Sequence, residues 1–271
     1  MPDALRTSLS HVLVQAVEKA GRALVRDFGE VEQLQISLKG PKDFVTNADR
    51  KAEKIILAHL TKARPDFAII AEESAPNETL KSPCWIVDPI DGTSNFLHGL
   101  PFWCITAAAY EKGHIQAAAT YNPISRELFW ADRGRGAYLG NHRLFVSARR
   151  RLDESLVLTD QPHHNLDDPK AFLRLCAGVA GVRRTGSSAL DMAFFAAGRV
   201  DGLWQGHAQI WDRAAGILLA QEAGAVVTSD DGRGDPLIKP GLIAANPDLI
   251  DPLARLLAGD HPKDRPENRH A

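Results

Sequence analysis

The 271-residue sequence predicts an α+β or layered α/β fold. Apolar residues recur at helical spacing near the N-terminus and again beyond residue 168, whereas residues 105–148 read as short strands between glycine and proline turns. The composition, 44% hydrophobic and 24% charged, is ordinary for a soluble globular chain. A chain of this size buries roughly three quarters of its unfolded surface, so neither a disulfide nor a structural metal is needed for a core.

In the first thirty residues Leu9, Val12, Leu13, Ala16, Val17, Ala20, Leu24 and Val25 share one helical face, and Gly29 offers a stop. A second helix is predicted over 47–62, with Ala52, Ile55, Ile56 and Leu60 as its buried stripe. A polar loop follows over 74–83, then a short buried strand over 84–87. Strands are predicted at 105–110, 116–121, 127–131 and 137–139, broken at Gly113, Pro123 and Gly134-Arg135-Gly136. That last tripeptide lacks the third glycine and the strand-to-helix context of a phosphate loop, so it reads as a hairpin. A strand at 155–159, helices near 168–177 and 188–197, and a last helix after Trp211 complete the pattern. Two lobes are expected, 1–145 and 146–258, followed by a Pro- and charge-rich disordered tail over 259–271. There is no internal repeat.

A formal net charge of −2 leaves no electrostatic footprint for nucleic acid, and the Arg149–Arg151 and Arg183-Arg184 runs read as solvated turns. Cys84, Cys104 and Cys176 form no C-x-x-C pair, and Cys84 and Cys104 sit in apolar stretches as small core residues. A cytoplasmic location is the expectation, with no signal-like N-terminus and no apolar run of membrane-spanning length.

Chemistry concentrates in four segments: 43–49 (DFVTNAD), 69–74 (IIAEES), 85–96 (WIVDPIDGTSNF) and 211–216 (WDRAAG). Asp88 follows a buried strand that Pro89 should interrupt, and Asp91 precedes Gly92 and Thr93, which suit a tight turn opening a helix. Two carboxylates at such a place repel each other and resist ionisation. A hard divalent cation resolves the conflict, since Mg²⁺ takes oxygen ligands and keeps waters for a phosphate. The N–H groups of Gly92 and Thr93 at a helix start offer an anion site beside it. Taken singly, Glu72-Glu73, Asp49 and Asp212 also fit an acidic turn or helix caps; as a set, the acids do not. The ten histidines form no ligand-spaced cluster, and His163-His164 reads as a polar loop, not a zinc site.

At these segments, and at 184–191 (RTGSSALD), the chain resembles the inositol monophosphatase family of lithium-sensitive, Mg²⁺-dependent phosphatases. The motifs occur in the family's order from about residue 8 to residue 258. The resemblance implies a five-layered αβαβα fold, usually a homodimer, and two or three Mg²⁺ ions. Glu72, Asp88 and the Ile90 carbonyl would hold the first ion; Asp88, Asp91 and Asp212 the second; a weaker third would lie near Glu72 and Asp49. Gly92 and Thr93 would bind the phosphate through backbone N–H groups. Thr93 and Glu72 would orient the attacking water, with Thr46 and Asp49 supporting them. Lys39 matches a family lysine near the phosphate, and Gly186, Ser187 and Ser188 fall where the family touches the substrate ring. Seven residues before Asp212, where inositol-phosphate-cleaving members carry a glutamate, this chain has Gln205, which donates as well as accepts and carries no charge. The 158–162 segment, LTDQP, departs from the relatives' Gly-Phe-Pro turn.

The leading expectation is therefore hydrolysis of a small phosphorylated metabolite, inositol 1-phosphate, by metal-activated water without a phosphoenzyme. Histidinol-phosphate phosphatase, fructose-1,6-bisphosphatase and 3′-phosphoadenosine-phosphate nucleotidase are the alternatives within the family. The segment before WDRAAG reads more like the monophosphatase branch than the nucleotidase. A regulatory binding protein on the same fold is the alternative of a different class.

Overall fold

The computed structural model describes residues 5–29, 36–40, 43–161, 169–232 and 234–259. Lys39 and Thr46 fall on strands whose side chains lie outside that description, as do His163-His164 and the tail from 260 to 271. The helix α1 (Ser8–Gly29) buries Leu13, Ala16, Val17, Ala20 and Leu24 of the predicted stripe and ends on the predicted glycine, whereas Leu9 and Val12 are half-buried and Val25, at the stripe's edge, is exposed. Strands β1 (Ile36–Gly40) and β2 (Asp43–Thr46) form an antiparallel pair that leads into α2 (Asn47–Ala63).

Seven strands make the larger sheet, in sequential order: β3 (Ala68–Ala71), β4 (Cys84–Asp91), β5 (Cys104–Glu111), β6 (His114–Asn122), β7 (Glu127–Asp132), β8 (Gly136–Leu139) and β9 (His142–Arg143). Only β3 and β4 run parallel within it; the rest is an antiparallel meander. Between β4 and β5 sits the short helix α3 (Thr93–Leu97).

The second sheet contains β10 (Leu156–Thr159), β11 (Gly181–Arg183), β12 (Gly202–Gln205), β13 (Val226–Ser229) and β14 (Leu242–Ala245), in the order β11-β10-β12-β14-β13. Around it lie α4 (Pro169–Gly178), α5 (Ser188–Ala196), α6 (Ile210–Glu222) and α7 (Ile250–Ala258).

Three apolar clusters define the layering. Leu13, Leu24, Ile56 and Leu60 of α1 and α2 pack on Trp85, Val87, Ile105 and Trp130 of the larger sheet. The opposite face of that sheet, including Ile86, Ala108 and Phe129, meets α5 and α6, which also touch Leu203 and Ala244 of the second sheet. The far side of the second sheet, Val157, Ile243 and Ala245, is covered by Leu175 of α4 and Leu253 of α7. The layers are thus helices, sheet, helices, sheet, helices, as expected. The inner helices are apolar on nearly every side because both faces meet a sheet.

Several elements differ from the sequence reading. Strand β4 does not stop before Asp88 but runs to Asp91, buried throughout. Asp88 pairs with Thr106 and Asp91 with Cys104, so three residues of β4 span two of β5. Pro89, which has no N–H for the ladder, falls within that bulge. Strands β11 to β14 are three or four residues long and carry no readable alternation. Helix α7 was masked in the sequence by Pro252, which its first turn tolerates.

Candidate active site

Because β3 and β4 are parallel, their carboxyl ends lie side by side. The ladder continues one residue past β3, where Glu72 N–H donates to Val87 O at 3.3 Å, and this sets Glu72 beside Asp88. The turn after Glu72 is held from α2: Glu73 N–H donates to Glu53 Oε2 at 2.9 Å. Asp49 and Glu53, one turn apart on α2, are both buried on the face that packs toward β4.

Asp88 is 2% exposed, and its Oδ1 accepts the N–H of Ile90 at 2.9 Å. Asp91 accepts the hydroxyl of Ser187, the N–H of Ala189 at 2.7 Å and that of Ser188 at 3.3 Å. Asp212, in the first turn of α6, accepts Gln209 N–H at 2.7 Å, so its capping role and its place at the site coexist. Ligand-capable oxygens of Asp88, Asp91 and Asp212 all lie within 4.8 Å of one another.

Burial raises Asp88 well above the ordinary carboxylate range, and the charges of Glu72, Asp91 and Asp212 raise it further. Burial also raises Asp91, against the hydrogen bonds donated from Ser187 and the start of α5. Asp212 is pushed up to about 7, first by burial and then by Asp91. The neighbouring Arg213 offsets this only weakly. Its guanidinium donates to the carbonyls of Gln209 (3.2 Å), Pro236 (3.2 Å), Pro240 (2.6 Å) and Lys239, fastening the 236–240 turn to α6. A cluster of buried and half-buried carboxylates that raise one another's pKa fits a hard, oxygen-seeking divalent cation. Asp88, Asp91 and Asp212 could hold such an ion, with Glu72 adjoining.

Next to the acids, Gly92 caps α3 with φ +94°, and a Cβ there would fall 2.9 Å from Phe102 O. Both facts require glycine. Thr93 Oγ1 donates to Ile90 O at 3.0 Å. Strand β2, which carries Thr46, runs beside α3. Asn95 ties α3 to the far wall through Nδ2, which donates to Phe102 O at 2.6 Å and Thr185 O at 2.9 Å.

A cleft of about 150 Å³ opens beside Asp212 and is lined also by Gly186, Ser187 and Ser188. The cleft is completed by Ala208 and by four polar residues to which the sequence assigned no role at the site: Asp160, Arg184, Asp191 and His207. Arg184 thus lines the cleft and does not belong to a merely solvated turn. Asp160, within the altered stretch, accepts the N–H groups of Gly206 (2.9 Å) and His207 (3.1 Å). Asp191 accepts Thr185 Oγ1 at 2.5 Å, and burial raises its pKa well above the usual range. Gln205 is fully buried and does not line the cleft. Its Nε2 donates to Ser188 O at 2.9 Å, while its Oε1 has no partner among the described residues.

The description of the inositol monophosphatase family matches residues 5–260. An inositol-1-monophosphatase of Rhizobium meliloti is 45% identical over 257 residues, covering 93% of this chain and 97% of that one. Among solved structures, the extragenic suppressor protein suhB of Bartonella henselae superposes with a TM-score of 0.85. It is 49% identical over 91% of this chain and 97% of its own. The Thermotoga maritima IMPase superposes with a TM-score of 0.83 at 32% identity, over 91% of this chain and 95% of its own. The chain is a phosphoric monoester hydrolase and belongs to the inositol monophosphatase family.

Proposed function

We propose that this phosphatase hydrolyses inositol 1-phosphate to inositol and phosphate. Two or three Mg²⁺ ions would be held by Glu72, Asp88, the Ile90 carbonyl, Asp91 and Asp212, with Asp49 adjoining. The observation that carries the reading is the convergence of Asp88, Asp91 and Asp212 within 4.8 Å beside a polar cleft. The 45%-identical inositol-1-monophosphatase supports the substrate.

When bound, the ions supply Lewis acidity that activates water near neutral pH and offsets charge on the phosphoryl oxygens. Everything else falls to the chain. The N–H groups of Gly92 and Thr93, with Lys39, receive the phosphate. The Thr93 hydroxyl, fixed on Ile90 O, and Glu72 orient the water, supported by Thr46 and Asp49. Gly186, Ser187 and Ser188 form the wall toward the leaving alcohol. Gln205 acts from beneath that wall by holding the Ser188 carbonyl. A homodimer and a cytoplasmic location accompany the reading.

The test is phosphate release from inositol 1-phosphate, histidinol phosphate, fructose 1,6-bisphosphate and 3′-phosphoadenosine 5′-phosphate, with Mg²⁺ titrated and with lithium added. The reading requires preference for the first ester, dependence on Mg²⁺, and loss at every Mg²⁺ concentration in Asp88→Asn. Preference for another ester would overturn the substrate, and an active Asp88→Asn variant would overturn the ligand assignment.

A further inference from the structure

The hydroxyl of Ser187 has its partner inside the protein. The residue is only 1% exposed, and Oγ donates to Asp91 Oδ2, which also accepts Ala189 N–H at 2.7 Å. Ser188 N–H reaches Asp91 Oδ1 at 3.3 Å. The Ser187 hydroxyl in turn accepts Leu190 N–H at 3.4 Å as the N-cap of α5. Its one donor hydrogen and one of its acceptor sites are therefore both engaged.

These bonds cross from the start of α5 to a carboxylate of β4, a separation of 96 residues along the chain. Their effect on Asp91 is uneven. Oδ2 receives three donors, the Ser187 hydroxyl, Ala189 N–H and the weaker Cys104 thiol at 3.8 Å, while Oδ1 has only the contact from Ser188, so Oδ1 keeps the greater capacity to coordinate. A carboxylate held through one oxygen by a hydroxyl and a helix N–H has its rotamer set before any ion arrives.

We propose that Ser187 is a positioning residue. Together with the first two N–H groups of α5, it holds Asp91 in the orientation that meets Asp88 and Asp212, and so sets the cation affinity of the cluster. This rests on the reading that these acids hold divalent ions. It assigns Ser187 a role distinct from direct contact with the substrate ring.

The test uses the full chain as wild type, Ser187→Ala and Ser187→Thr, titrated with Mn²⁺ alone, without phosphate ester. Free ion is followed by its paramagnetic resonance signal, well below every variant's melting temperature. Loss of one charge-assisted hydrogen bond should weaken Mn²⁺ binding by about tenfold in Ser187→Ala. Ser187→Thr keeps the hydroxyl and should stay near wild type. Should the alanine variant fail to fold, Ser187→Gly, a tolerated N-cap, is read in the same way.

Unchanged Mn²⁺ affinity in Ser187→Ala with a raised KM would overturn the proposal in favour of substrate contact. Equal weakening in the threonine and alanine variants would also overturn it, because the hydroxyl would then not be what matters. Absence of Mn²⁺ binding in the wild type is a separate outcome, which would instead overturn the metal reading beneath it.

Discussion

Neutralising one acid of the cluster should stabilise the metal-free protein while destroying its activity. Asp212→Asn is the sharpest form of this prediction, because the amide keeps a carbonyl oxygen for Gln209 N–H. Asp212 rises from 3.8 to about 7 in the fold, which corresponds to a ceiling of roughly 4 kcal/mol against the ionised form above that pH. The strain is shared with Asp88 and Asp91, so relief of roughly 2 kcal/mol is the working figure. For a chain of this size that is a rise in Tm of about 4–8 °C. The sign follows from linkage. The folded state holds protons that the unfolded chain has released, so the metal-free fold loses stability as pH rises from near 4 to near 7. The advantage of the variant is then full at pH 8 and shrinks toward pH 5. Thermal unfolding in chelator at both pH values, repeated with saturating Mg²⁺, is the assay. With Mg²⁺ the order should reverse, since the ion stabilises the wild type through a ligand the variant lacks. A variant that melts at or below wild type in chelator at pH 8 would refute the idea that the acids oppose one another in the folded state.

Asp132→Ala should cost about 2–4 kcal/mol in urea unfolding, because Asp132 of β7 accepts Thr7 N–H (3.0 Å), Thr7 Oγ1 (2.5 Å) and Ser10 Oγ (2.6 Å) at the start of α1. A change below about 0.5 kcal/mol would mean that water replaces those bonds. Asn95→Ala leaves the Phe102 and Thr185 carbonyls without their donor, and kcat/KM should fall by about tenfold or more with Mn²⁺ affinity near wild type. Equal loss of both would place its effect on the metal cluster instead. Gly92→Ala meets both a positive φ and the Phe102 carbonyl, so activity should be lost along with at least about 2 kcal/mol of stability. Wild-type turnover in that variant would show that the 92–93 turn can move without cost.

Much of the site was legible because its signals are local. Asp88 and Asp91 stand beside a buried run, a proline and a Gly-Thr turn, and a reader of residues 85–96 alone meets carboxylates where a strand should end. The stripes of α1 and α2 were legible for the same reason, since helical burial repeats within a few residues. Even there, only the β5 register showed that β4 passes through Pro89 by a bulge. The short strands β11 to β14 were not legible, because three or four residues carry too little pattern to distinguish a strand from a loop.

The sequence by itself singled out the acids expected at a cation, the turn that accompanies them and the layered class of fold. Tertiary structure decided what those groups face. It brought Glu53 under the Glu72-Glu73 turn, Asp160 and Asp191 to the cleft, and Ser187 onto Asp91. It also turned Gln205 inward, onto the Ser188 carbonyl. The physical reason is range: caps, turns and amphipathic stripes depend on neighbours a few residues away. A hydrogen bond across 96 residues depends on how two sheets close over the inner helices, which no local pattern encodes.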